Sequence, residues 1–114
     1  MPFIDMDRLE EREPLPGFKI RRVHSDNMTC ALTKIKAGAA SPVETHPGEH
    51  IMIVAEGQVE LTIGEETRTL GPGDTAVVPS NVPHALRAIT DCLKIGMTHP
   101  RSGKAEAEIA RYSS

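Results

Sequence analysis

Five histidines occur in the sequence, and three of them have neighbours that suggest chemistry. Glu44 and His46 stand two residues apart, and in an extended chain that spacing turns both side chains to one side. Pro47-Gly48 marks a turn, and His50 then opens an apolar run, sharing a face with Met52 and Val54. His84 follows Pro79-Ser80-Asn81-Val82-Pro83 and shares a face with Leu86 and Ala88. A single histidine on an apolar face is more often a core residue with both ring nitrogens hydrogen-bonded, and a single glutamate is usually a surface carboxylate. Together they read differently. A carboxylate buried beside three imidazoles is costly without a cation, whereas a divalent metal takes neutral imidazoles and a carboxylate as ligands.

Glu44, His46, His50 and His84 are therefore the candidate ligands of one divalent ion: Fe, Mn, Ni, Co or Zn. Four protein ligands on an octahedral ion leave two positions for a chelating substrate, or for substrate and dioxygen together. A tetrahedral Zn(II) would be filled by the same four. Such an ion polarises a carbonyl or stabilises an enediolate, and the net positive charge left with Glu44 ionised favours anionic or enolate-forming substrates. Binding of this kind weakens as pH falls through the imidazole range near about 6.5. His24 and His99 lack such partners and read as surface or loop residues. No general base stands out, because alternation turns Glu49 away from His50. Met28, Met52 and Met97 are the expected pocket wall, fitting a small, partly apolar ligand.

Short strands have to position these residues. Nine glycines and nine prolines punctuate brief apolar runs, the rhythm of an all-β domain. Residues 17–24 and 27–36 alternate, and 50–55 is apolar on both faces, so both should be covered. Val59, Leu61 and Ile63 share a face before Gly64-Glu65, a two-residue hairpin signal. Strands at 67–70, 75–78, 84–89 and 92–98 bring the expected count to about eight to ten. The run Asp7-Arg-Leu-Glu-Glu-Arg-Glu13 reads as a solvated charge segment. Residues 104–112 suit one short docked helix or a frayed tail, with Ala105, Ile109 and Tyr112 on one side. The division expected is 1–16 as an N-terminal segment, 17–100 as the barrel and 101–114 as a tail. So small a chain buries enough surface only by closing into a barrel or sandwich. A small antiparallel barrel with an enclosed pocket is the fold expected.

Composition narrows the functions. At 114 residues the chain is about one domain. Thirteen basic against sixteen acidic residues give a net charge of −3, against a phosphate-tracking nucleic-acid binder. Phe3, Phe18 and Tyr112 are the only aromatics, too few to stack single-stranded bases. No apolar run approaches the roughly 20 residues that span a bilayer, and the acidic opening Met-Pro-Phe-Ile-Asp-Met-Asp differs from a signal peptide. A cytoplasmic protein is expected, with Cys30 and Cys92 as reduced thiols.

The motifs resemble those of the cupins. Gly38, five residues, Glu44-x-His46, three residues, His50, six residues and Gly57 lies close to the family's first motif. That motif runs Gly, five residues, His-x-His, three or four residues, Glu, six residues, Gly. The second, Gly, five residues, Pro-x-Gly, two residues, His, matches Gly73 to His84 with Asn81 at its inner glycine, a residue that also tolerates the left-handed conformation. The 15 residues between Gly57 and Gly73 are similar to the compact, single-domain, RmlC-like cupins of the conserved-barrel type. Relative to the family, Glu44 stands at the first histidine and His50 at the usual glutamate, so the donor set is kept with two members exchanged. Arg21-Arg22-Val23 and Pro100-Arg101 are similar to small cupins, some of which linearise unsaturated uronic sugars. Those carry Asp-x-Phe where this chain has Ile95 and Met97.

The resemblance implies a double-stranded β-helix (jelly roll) and a metal-dependent oxygenase or isomerase/lyase acting on a small molecule. A non-catalytic ligand- or metal-binding module, for sensing or storage, is the alternative. Ile51, Ile53 and Ala55, on the second face of the 50–55 run, call for cover by another sheet or subunit, and a homodimer is expected.

Overall fold

The computed structural model describes residues 3–112, with the side chains of 110–112 outside that description, so the helix contact expected of Tyr112 falls outside it. A 3-10 turn at Met6–Arg8 leads into nine strands and one helix among the described residues. The strands are β1 (Arg12–Leu15), β2 (Phe18–His24), β3 (Thr29–Ile35), β4 (Glu49–Glu56), β5 (Val59–Ile63), β6 (Glu66–Leu70), β7 (Thr75–Val78), β8 (His84–Ala88) and β9 (Cys92–His99); the helix is α1 (Ala105–Tyr112). A six-stranded sheet runs β1-β2-β3-β9-β4-β7, a three-stranded one β6-β5-β8, and every pair is antiparallel. The fold is the all-β antiparallel barrel that the motifs imply, with a single short C-terminal helix. None of the described helices is long and apolar enough to cross a membrane.

Turn chemistry sets the register. Ile63 pairs with Glu66 across Gly64-Glu65, and the positive φ of 59° at Gly64 alone fits the first central position of a type II′ turn. Asn81, at φ 63°, is the one non-glycine residue with positive φ among the described residues, as its place in the motif implies.

Register also sorts the faces. On the six-stranded sheet His50, Met52 and Val54 of β4 share the inner face with Thr98, Gly96 and Lys94 of β9 and with Thr29, Ala31 and Thr33 of β3. Apolar residues fill the end of the barrel away from His50: Phe18, Ile35, Val54, Val59, Leu61, Leu70, Leu86, Ala88 and Cys92 form one buried cluster that also takes in Met52. The end carrying His50, His84 and Thr98 is polar and more open.

The ends of the chain depart from the sequence reading. Part of the N-terminal charge run is strand, since β1 pairs with β2, and Leu9 is buried. Helix α1 is docked rather than frayed, but not through an apolar stripe alone. Beside Ala105, its buried residue is Glu108, 4 % exposed, whose carboxylate accepts from His24 Nε2 at 2.9 Å and lies 3.5 Å from Arg22. His24 is accordingly not a surface residue. Its Nδ1 bonds Thr29 Oγ1 at 2.8 Å, and burial on the inner face of β2 required both nitrogens to find partners.

Candidate metal centre

Backbone pairing gathers the candidate ligands. Residues 38–44 run antiparallel to β8: Gly38 donates to the Ala88 carbonyl, Ser41 to Leu86, and Glu44 and His84 exchange bonds of 2.9 and 3.0 Å. Directly paired residues turn their side chains to the same face, so the Glu44 carboxylate and the His84 ring meet, and His46, two residues along, joins them. The left-handed residue Asn81 ties the group together by donating to the His46 carbonyl at 2.9 Å. The ligand atoms of Glu44, His46 and His84 all lie within 4.8 Å of one another. The His46 and His84 rings sit edge to face, 4.7 Å between centroids.

The tautomer of His84 follows from its neighbour. Its Nδ1 is 3.0 Å from the Val82 carbonyl, which can only accept, so Nδ1 carries the hydrogen and Nε2 keeps its lone pair. A carbonyl behind a ligating imidazole is a common support for metal binding. A carboxylate and two imidazoles so close together fit a divalent ion chemically.

His50 is not in the group that closes within 4.8 Å. It enters from the opposite sheet, its Nδ1 bonded to Thr98 Oγ1 at 3.1 Å and its ring lying against Gly96. A Cβ at residue 96 would stand 2.8 Å from His50 Cε1, so glycine there gives the ring its place. Burial pushes the His50 imidazole down to about 4, and the charges of Lys94, His46 and His84 add to the fall. His50 is thus neutral and within electrostatic reach of the other two rings.

Glu44 is exposed, contrary to the reading that the carboxylate is buried beside the imidazoles, so no burial cost forces a cation on it. The pairing of residues 38–44 with β8 lays Glu44 along the mouth of the barrel. Of the methionines expected to line the pocket, Met52 is buried in the core on the inner face. Met97 pairs with Ile51 on the outer face of the sheet, and Met28 is exposed in the turn before β3. Cys30 and Cys92 are free thiols; burial pushes Cys30 up, and Cys92 is buried. Lys94 went unnoticed in the sequence. It stands between Leu93 and Ile95 like an outward polar residue, but the register turns it inward, where burial pushes its ammonium down against the opposing charge of Glu44.

Known proteins bear on this geometry. Residues 31–93, more than half of the chain, match the family model Cupin_2, described as the cupin domain. The dimethylsulfoniopropionate lyase DddQ of Ruegeria pomeroyi is 38% identical over 64 residues, 55% of this chain but 32% of the lyase, so the chain spans about a third of that relative. The structure of KdgF from Halomonas sp. superposes with a TM-score of 0.84 at 25% identity, covering 91% of this chain and 97% of KdgF. Salicylate 1,2-dioxygenase from Pseudaminobacter salicylatoxidans aligns with a TM-score of 0.73 and 26% identity over 75% of this chain and 27% of the dioxygenase. With both motifs lying on paired strands of one barrel, and more than half of its length under the family pattern, this chain belongs to the cupin-domain family.

Proposed function

We propose that the protein is a metal-dependent cupin enzyme acting on a small anionic molecule, as an oxygenase or an isomerase/lyase. Glu44, His46 and His84 would hold one divalent ion, with His50 completing the set from the facing sheet. The observation that carries this reading is the convergence of the first three ligand atoms within 4.8 Å, with the His84 tautomer fixed by Val82. When bound, the ion supplies a Lewis acid for a substrate oxygen. The chain's own residues do the rest. Val82 and Thr98 orient His84 and His50, and the aliphatic core below closes the barrel to water. The similarity to proteins named as a lyase and as a dioxygenase supports both reaction classes. Fe(II), Mn(II), Ni(II) and Co(II) suit a site with open positions better than a four-ligand Zn(II).

A second reading, a non-catalytic binding module, is favoured by one observation. Glu44 is the only carboxylate of the clustered group among the described residues, so its use as a ligand leaves no carboxylate base there.

Metal analysis of purified protein, with His46→Ala and His84→Ala as controls, tests the site. One ion per chain in the parent and none in either variant is expected, and equal content in all three would sink the reading. Turnover or oxygen uptake across diketones, sugar acids, flavonols and small thiols then separates enzyme from module. We also propose a homodimer, built on the apolar outer face of the six-stranded sheet.

A further inference from the structure

Lys94 is an ionisable side chain of the barrel interior to which the chemistry above gives no role, and unlike Arg22 and His24 it has no carboxylate such as Glu108 bonded to it. Lys94 lies on the inner face of β9, opposite Thr33 of β3 and Val54 of β4, which are 2 % and 0 % exposed. Strand β9 is flanked on both sides within its sheet, so the partial exposure that Lys94 retains opens into the barrel. Two residues along on the same face is Gly96, against which the His50 ring rests. The ammonium makes no hydrogen bond and no ion pair among the described residues, yet its charge reaches the ligand group. It is the largest charge effect on His50, and Glu44 is the charge that opposes its own loss of a proton.

Lysine usually runs its stem along apolar surface and leaves its charge in water. Here the register turns the stem inward. An inward ammonium with no bonded counter-charge is costly, and an ion held at Glu44, His46 and His84 would add positive charge to the same interior. Both features call for an anion that the chain does not supply.

We propose that Lys94 is a specificity-determining residue that receives the carboxylate of a small substrate, while another oxygen of that substrate faces Glu44, His46 and His84. This rests on the reading of the site as a small-molecule centre, and it narrows the substrate class to carboxylates with a second oxygen a few atoms away. An ammonium bonds a carboxylate through charge-assisted hydrogen bonds, and a neutral analogue would leave it unpaired, which is a strong basis for rejection.

Malonate and malonamide, which share a heavy-atom framework but differ in charge, are the probes. Calorimetric titration of the Mn(II)-loaded protein should show malonate binding at least about tenfold tighter than malonamide. In Lys94→Met, of similar length without the charge, the preference should fall at least about fivefold, the remainder being the pull of Mn(II) on the second carboxylate, while Mn(II) content stays at the parent level. As a second measurement independent of any variant, the Lys94 side-chain NMR signal of the metal-free protein should shift on adding malonate. Failure of malonate to bind the parent, an unchanged preference in Lys94→Met, or a Lys94 signal that stays still while malonate binds would each overturn the proposal. A parent that takes up no Mn(II) but binds malonate through Lys94 would sink the metal reading and support this one.

Discussion

Burial and the Lys94 ammonium act on the same ring, and the direction of their effect on His50 has a measurable consequence. The imidazole is held down to about 4 in the folded chain against 6.5 ordinarily. Between those values the unfolded chain binds a proton that the folded chain refuses, so stability rises with pH across that window. Metal-free protein should therefore lose stability as pH falls from about 6.5 to about 4, with no further loss from this group below. Urea midpoints at several pH values would show it, and His50→Gln should flatten the slope in that window. An equal slope in parent and variant would mean that the ring titrates normally. In Lys94→Met the His50 ring should titrate higher than in the parent, because a positive charge has been removed while burial remains. A metal bound at His50 would meet proton competition from that ring only near about 4.

At the scale of elements, the turns were legible from residue types and the faces were not. Gly64-Glu65 and Asn81 announce their conformations because few residues accept positive φ. In β3, alternation separates Thr29, Ala31 and Thr33 from Cys30 and Leu32 without saying which set faces inward. The threonine set does, because the outer face of this sheet is itself apolar, and the alternation rule of a solvent-facing sheet fails there. Lys94 and Glu108 were hidden for a related reason: each sits where a charged residue normally marks solvent, and tertiary pairing buries its surroundings. The motif spacing did single out Glu44, His46 and His84, although the reciprocal backbone pair that joins Glu44 to His84 links segments with four strands between them in sequence. The role of α1 is the clearest difference. A helix held by Ala105 and Ile109 alone would be expendable, but Glu108 also compensates Arg22 and His24 beneath it. Glu108→Ala should cost about 1.5–3 kcal/mol, the range for hydrogen bonds to charged groups, read as a lower urea midpoint with an unchanged slope. A midpoint equal to the parent's would show that water replaces the carboxylate at no cost.

For the whole molecule, the question is what covers the outer face of the six-stranded sheet. One row crosses five strands in register: Val77, Ile51, Met97, Cys30 and Val23. The next carries Ile53, Ile95 and Leu32 side by side, so the apolar area is continuous across β4, β9 and β3. Val77 is 55 % and Ile51 39 % exposed, although side chains of this kind normally face a core. The end of the barrel away from His50 is already filled by the cluster around Val54 and Val59, and α1 packs against β2, so neither covers Val77 and Ile51. A continuous apolar sheet face suits a second copy related by a two-fold axis, because the same rows then meet each other and the contact closes. Light scattering at micromolar concentration should give a dimer mass for the parent and a monomer mass for Ile51→Asp, which sets a charge at the centre of the contact. Since Ile51 points away from the candidate ligand residues and is partly exposed, the variant should keep its fold. A parent that is monomeric under those conditions, or an Ile51→Asp variant that stays dimeric, would assign the apolar rows to something other than self-association.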